Sequence, residues 1–306
     1  MATTARLVAL LSLPLLVGCG PDRDGASRGA TTPSTTEPAF HLRVRLGGED
    51  EITVWKVEHS SEPVQIYSVR LSAPEREAAV KGLEPVFVKE TGDPRSRGPD
   101  GASRVRLQVE AEPLVPFKYV QWVMLMAASP RVKIYKVSLL GRSASEQVDL
   151  ELPKDRSCCP GQRVPMRELH LKYSRVPGPT EPMTRIRIGD ALVEYDDGYM
   201  SPTGTDEIAD AEQLAKDPDS KERTVDLGSR GAGGSDSQAW RTIEQELRAR
   251  WPRGERAVGI IDVPPPTGGN TPFGDVLIGM LLLQSLGVEQ VMHEGAITRL
   301  REEQDR

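Results

Sequence analysis

Acid/base chemistry needs two titratable groups within reach of one another, and the sequence offers few such arrangements. Glu110 and Glu112, in VEAEPLVPF, lie two residues apart, so on a strand they share a face. Asp262, in IDVPPPTGGNTPF, is the corresponding acid farther along the chain. Carboxylates at strand ends are far more often solvated than catalytic, so the spacing alone assigns no catalytic residue. Cys158 and Cys159 are adjacent in DRSCCPGQR. A ring closed between neighbouring cysteines is strained, which leaves an intermolecular disulfide, a redox pair or two idle loop thiols. His41, His59, His170 and His293 share no metal or catalytic spacing. Asp190, Asp196 and Asp197 sit in no calcium-loop pattern. PPPTGGNTPFGD is glycine-rich before a helix start, yet it lacks the lysine and spacing of a P-loop and reads as a wide turn. No serine occupies a nucleophile elbow. On this reading the catalytic residues, metals and cofactors are none.

The elements that would position these residues follow from periodicity. FHLRVRL (40–46), EITVWKV (51–57) and VQIYSVRL (64–71) alternate as strands. Ser72-Ala73-Pro74-Glu75 has capping-box spacing, predicting a short helix to about Leu83. SRVRLQVEAE is a strand with Val105, Leu107 and Val109 inward. Pro116 then opens a helix that places Phe117, Val120, Met124 and Ala127 on one face, and VKIYKVSLL (132–140) is the next strand. The stretch 142–182 reads as a linker with one strand candidate, ELHLKY. A second domain over 183–295 starts with a hairpin turning at Gly189-Asp190, followed by an irregular insertion over 201–235. A helix then carries Trp240, Ile243, Leu247 and Trp251 inward. RAVGIIDV is a buried strand, another apolar helix and strand complete the domain, and 296–306 is a charged tail.

The chain contains one phrase twice. Aligning Pro116-Phe117 with Pro272-Phe273 brings Val120 over Val276, Met124 over Met280, Ser129 over Ser285 and Val132 over Val288 without a gap. A repeat of about a hundred residues indicates a duplicated supersecondary unit rather than a solenoid. The expected fold class is therefore α/β (α+β): two tandem small domains, 40–141 and 183–295, each a mixed sheet with about two helices on one face. Both repeat helices are apolar nearly all the way round. Such helices are buried on both sides, here by the two domains packing together, or are docked on one side by a partner or second copy. Phe117, Trp122, Met126, Phe273, Leu277 and Leu281 are the residues that would make that partner or dimer surface.

Bulk properties narrow the setting. The 306 residues carry a net charge of −6 with lysine and arginine scattered, so a nucleic-acid role lacks its electrostatic footprint. The N-terminus, MATTARLVALLSLPLLVGCG, has one positive residue, Arg6, then an apolar run too short to span a bilayer comfortably. Leu16-Val17-Gly18-Cys19 resembles a bacterial lipobox, which implies a signal peptide over 1–18 and lipidation of Cys19. Removal of Met1–Gly18, whose only charge is Arg6, would take the net charge from −6 to −7. The polar stretch 19–39 is expected to be a flexible tether. Gly20, rather than Asp, by resemblance to Gram-negative lipoproteins favours the outer membrane, with the folded part facing the periplasm.

The order strand–strand–helix–strand–helix–strand, with RVRLQVEAEPLVPFKYVQWVMLMAASPRVKIYKVSL as its clearest stretch, resembles the periplasmic domain of the ExbD/TolR family of biopolymer-transport proteins. Glu110, Glu112, Val115, Pro116, Phe117, Val120, Val123 and Val132 fit in the first copy; Asp262, Pro272, Phe273, Val276, Gly287 and Val288 fit in the second. The family's acid-bearing transmembrane helix has no counterpart, since the only apolar N-terminal stretch is the signal and contains no acid. The resemblance implies a non-catalytic binding or scaffold module at the cell envelope, anchored by lipid. ExbB-like or TonB/TolA-like components, peptidoglycan, or a second copy are the candidate partners. The competing class is an extracytoplasmic enzyme, an envelope hydrolase using the acidic turns or the Cys pair.

Overall fold

The computed structural model describes residues 40–47, 51–58, 61–70, 75–98, 101–143, 146–152, 163–196, 199–202, 223–227, 238–251, 255–264 and 270–293. Cys19, the tether, Cys158, Cys159, most of the 201–235 insertion and the tail lie outside them.

Alternation makes β1 (Phe40–Leu46) a strand with Leu42, Val44 and Leu46 buried on one face and His41, Arg43 and Arg45 on the other. It pairs antiparallel with β2 (Glu51–Glu58), and β2 with β3 (Val64–Arg70). Two short helices, α1 (Arg76–Lys81) and α2 (Leu83–Thr91), lead to β4 (Arg106–Ala111), which lies parallel to β1. α3 (Phe117–Ala128) crosses to β5 (Lys136–Leu140), parallel to β4, and β6 (Gln147–Glu151) closes the edge antiparallel. The first sheet therefore runs β3-β2-β1-β4-β5-β6.

The second half rebuilds this plan. β7 (Arg163–Val176) and β8 (Met183–Asp196) form a long antiparallel hairpin, and β9 (Tyr199–Pro202) and β10 (Arg223–Asp226) each pair with β8. α4 (Gln238–Arg250) precedes β11 (Ala257–Asp262), parallel to β7. α5 (Phe273–Leu286) precedes β12 (Gln290–His293), parallel to β11. The order β10-β8-β7-β11-β12 matches β3-β2-β1-β4-β5 strand for strand. The registers agree as well. Leu42, Val44 and Leu46 correspond to Leu169, Leu171 and Tyr173, and Ile52 and Val54 to Ile186 and Ile188. Every one of these side chains is buried. The fold is thus mixed α/β in two sheet-bearing parts, and one contiguous apolar core runs through both, from Leu42 to Met280.

Four details depart from the periodicity reading. Gly189-Asp190 is no turn: β8 runs straight through it, with Gly189 opposite His170 and Asp190 opposite Leu169. The alternation of Ile186 and Ile188 continues to Asp190, whose carboxylate is held by Arg167 and Arg250. The hairpin turns instead at the proline-rich 177–182, so the stretch 142–182 is no linker but supplies β6 and the central strand β7. The expected first helix is split and longer, because Pro85 has no N–H to bond back and so restarts the chain as α2. Within 201–235, β10 pairs with β8 and Leu227 is buried, so part of that insertion is regular sheet.

The two sheets differ on the faces turned away from the core. β4 alternates, leaving Arg106, Gln108 and Glu110 half-buried, whereas β11 is buried at all six positions. Met166, Val258, Ile260 and Met292 form a second apolar cluster there, flanked by Val164 and Val193.

Candidate interaction site at the junction of the two halves

Proline dictates how α3 and α5 begin. Pro116 and Pro272 occupy their N-caps with φ −57° and ψ 129° and 137°, so each helix is entered from an extended residue, Val115 or Thr271. Neither proline has a side chain able to accept from the first-turn amides, and such amides have no intrahelical acceptor. Each half supplies the acceptor for the other. The Phe117 N–H donates to the Thr271 carbonyl at 2.8 Å, and the Phe273 N–H donates to the Val115 carbonyl at 2.8 Å. Pro116 and Pro272 face one another in an antiparallel bridge. The Gly274 N–H adds a bond to the Pro113 carbonyl at 2.9 Å. A side chain at Gly274 would place its Cβ 3.0 Å from that of Pro113, so the close approach depends on glycine there.

The repeated phrase thus exists to meet itself. Residues 115–117 and 271–273 are related by a local twofold, and the rings of Phe117 and Phe273 stack across it at 6.5 Å and 14°. Beside the stack the symmetry breaks. The Gln121 Nε2 lies 3.2 Å from the Val263 carbonyl and 2.8 Å from His293 Nε2. A carbonyl only accepts, so the amide nitrogen is the donor in both contacts, and His293 accepts at Nε2 while carrying its proton on Nδ1. Burial lowers the His293 pKa from 6.5 to about 4, so the ring is neutral. Its face tilts against Phe117 at 5.6 Å.

A second polar group is buried at the start of α5. Thr184 donates its hydroxyl to Asp275 Oδ2 at 2.6 Å, and Arg175 donates to Thr184 Oγ1 at 2.9 Å. Desolvation raises the Asp275 pKa against the opposing pull of the Thr184 hydrogen bond and Arg175. The Tyr173 hydroxyl, also pushed up by burial, donates to the Asp275 carbonyl at 3.4 Å. Among the described residues the buried Thr271 hydroxyl has no hydrogen-bond partner.

Of the six residues expected on a partner surface, Phe117, Phe273 and Leu277 are buried within the chain, the two phenylalanines against each other. Trp122, Met126 and Leu281 are half-buried against the same core. The acids of the repeat occupy equivalent ion pairs between parallel strands, Glu110 with Arg45 at 3.6 Å and Asp262 with Lys172 at 2.8 Å. Glu112 is exposed beyond the strand end. Sequence reading weighed His170 but missed its partner Glu168, whose side chain bonds it at 2.7 Å on the outer face of β7. Their spacing of two on one strand was the available signal. It also missed Gln121 as the partner of His293, 172 residues away, which no local pattern connects. Among the described residues no cluster of His, Cys, Asp and Glu could hold a metal ion, and no helix is long and apolar enough to cross a membrane.

No protein-family model matches the chain, and no curated protein matches it in sequence.

Proposed function

We propose that the chain is a lipid-anchored protein of the bacterial cell envelope whose two halves are ExbD/TolR-like modules, joined head to head and acting as a non-catalytic binding scaffold. The carrying observation is the doubled strand order with reciprocal capping at Pro116 and Pro272, which makes one paired module from one chain. The acids that could have served acid/base chemistry, Glu110 and Asp262, are each committed to a basic neighbour, which favours a structural role for them. The lipobox-like Cys19 supports the anchored setting, and the proposed partners are ExbB-like or TonB/TolA-like components or peptidoglycan.

The test is crosslinking in cells, purification from membranes and identification of what is recovered, with Cys19→Ala as the unanchored control. Recovery of envelope-transport components or cell-wall fragments, lost or reduced in Cys19→Ala, is the expected result. Equal membrane association of both forms would overturn the anchor, and recovery of the chain alone would overturn the scaffold reading.

A further inference from the structure

The contacts on the local twofold, the one-sided bond from Gly274 to Pro113 aside, cannot tell one half from the other. They are main-chain bonds at 115–117 and 271–273 and a stack of two like rings, and two first halves, or two second halves, from separate copies could form them equally well. Lys118 stands where Gly274 makes its close approach to Pro113, and further preference comes from side chains that break the symmetry. Aligning Pro116 with Pro272 puts Gln121 on Leu277. The registers of β4 with β5 and β11 with β12 put Leu139 on His293. Gln121 reaches the end of β12 at His293, while Leu277 reaches the end of β5, where a Cβ on Gly141 would stand 3.0 Å from Leu277 Cδ2. One side of the junction is therefore an amide on an imidazole, and the other is leucine against the end of β5, where Leu139 is buried and the Glu146 side chain folds over Gly141.

We propose that the Gln121–His293 pair is a pairing-specificity device: it joins the first half of a chain to the second and disfavours exchange of like halves between two copies. In a junction of two first halves, each Gln121 amide would lose the imidazole and face Leu139, with the Glu146 carboxylate already accepting from the Arg142 N–H. In a junction of two second halves, each His293 ring would face Leu277 and lose its amide donor. A like junction contains this mismatch twice, and a polar group deprived of its partner in a buried contact disfavours association by roughly tenfold or more. Matching of a polar pair at one buried position is the way coiled coils fix their partners and register.

The test uses the full chain with either of two C-terminal tags, in reductant so that Cys158 and Cys159 form no disulfides between chains. Equal amounts of the two tagged forms are unfolded together and refolded, then captured through one tag and probed for the other. His293→Leu makes the junction of two second halves apolar and starves the native one, so mixed-tag recovery should rise about tenfold over the parent chain. The exchanged variant Gln121→His/His293→Gln keeps a polar pair and should stay at the parent level. Circular dichroism checks that each variant is folded; if His293→Leu is not, Gln121→Leu is read in its place, since it makes the junction of two first halves apolar. Mixed-tag recovery at the parent level for the leucine variant would overturn the proposal. So would equal, raised recovery in the exchanged variant.

Discussion

Acid should weaken the junction through His293. The ring is neutral in the fold with a value near 4, against 6.5 when free. A base whose folded value is depressed contributes full stability above the unfolded value, and that contribution is lost as pH falls from 6.5 toward 4. At about 1.36 kcal/mol per unit, the whole window amounts to about 3 kcal/mol, of which roughly 2 kcal/mol falls between pH 7 and pH 4.5. Protonation also places an N–H against the Gln121 amide nitrogen, which has no lone pair to offer. The assay is urea unfolding of the parent chain and of His293→Leu at a series of pH values. Asp275 and the other carboxylates titrate in both proteins, so their slopes cancel in the difference. The parent should lose about 2 kcal/mol more than the variant over that range. Parallel pH profiles would refute the reasoning and place His293 in water.

Phe117→Ala and Phe273→Ala should each cost about 3–5 kcal/mol by urea unfolding, and the double variant should cost less than the sum because the rings share one contact. Thr271→Val keeps the shape, removes a buried hydroxyl that has no partner among the described residues and copies its counterpart Val115; it should raise stability by about 1 kcal/mol in thermal unfolding. Asp275→Asn bears on the opposite pH sign. A carboxyl whose folded pKa is raised contributes most stability below its unfolded value of 3.8, and this is lost as pH rises through the folded value. The asparagine variant should therefore be more stable than the parent at pH 7, and the difference should shrink on acidification.

What could be read from the sequence was what local spacing encodes. Alternation gave β1, β2 and β4, and the repeat gave both the pairing of Phe117 with Phe273 as equivalents and the doubled α/β plan. The hairpin at Gly189-Asp190 was misread because a glycine–aspartate step has the composition of a turn. Whether it bends depends on what Asp190 bonds, and its partners Arg167 and Arg250 lie 23 and 60 residues away. Val258 and Ile260 signalled a strand buried on both faces, but nothing local told which residues pack beside them. Gln121 and His293 are an unremarkable helix glutamine and strand-end histidine until two chain segments are folded together. Long-range polar pairs leave no periodic trace, which is why the junction's backbone was legible and its asymmetry was not.

The outer faces of the two sheets carry a consequence of fusion. A homodimer must present the same face twice, because its axis copies every residue. Here the duplicated halves have drifted apart. The first sheet keeps half-buried Arg43, Gln108 and Glu110 on its outer face, whereas the second buries Met166, Val258, Ile260 and Met292 there, beside Glu168 and His170. Joining two subunits in one polypeptide makes their association independent of dilution and frees each face to evolve alone. Within one molecule the two copies of a single plan thus end in different surroundings, one outer face left polar and the other closed over apolar side chains.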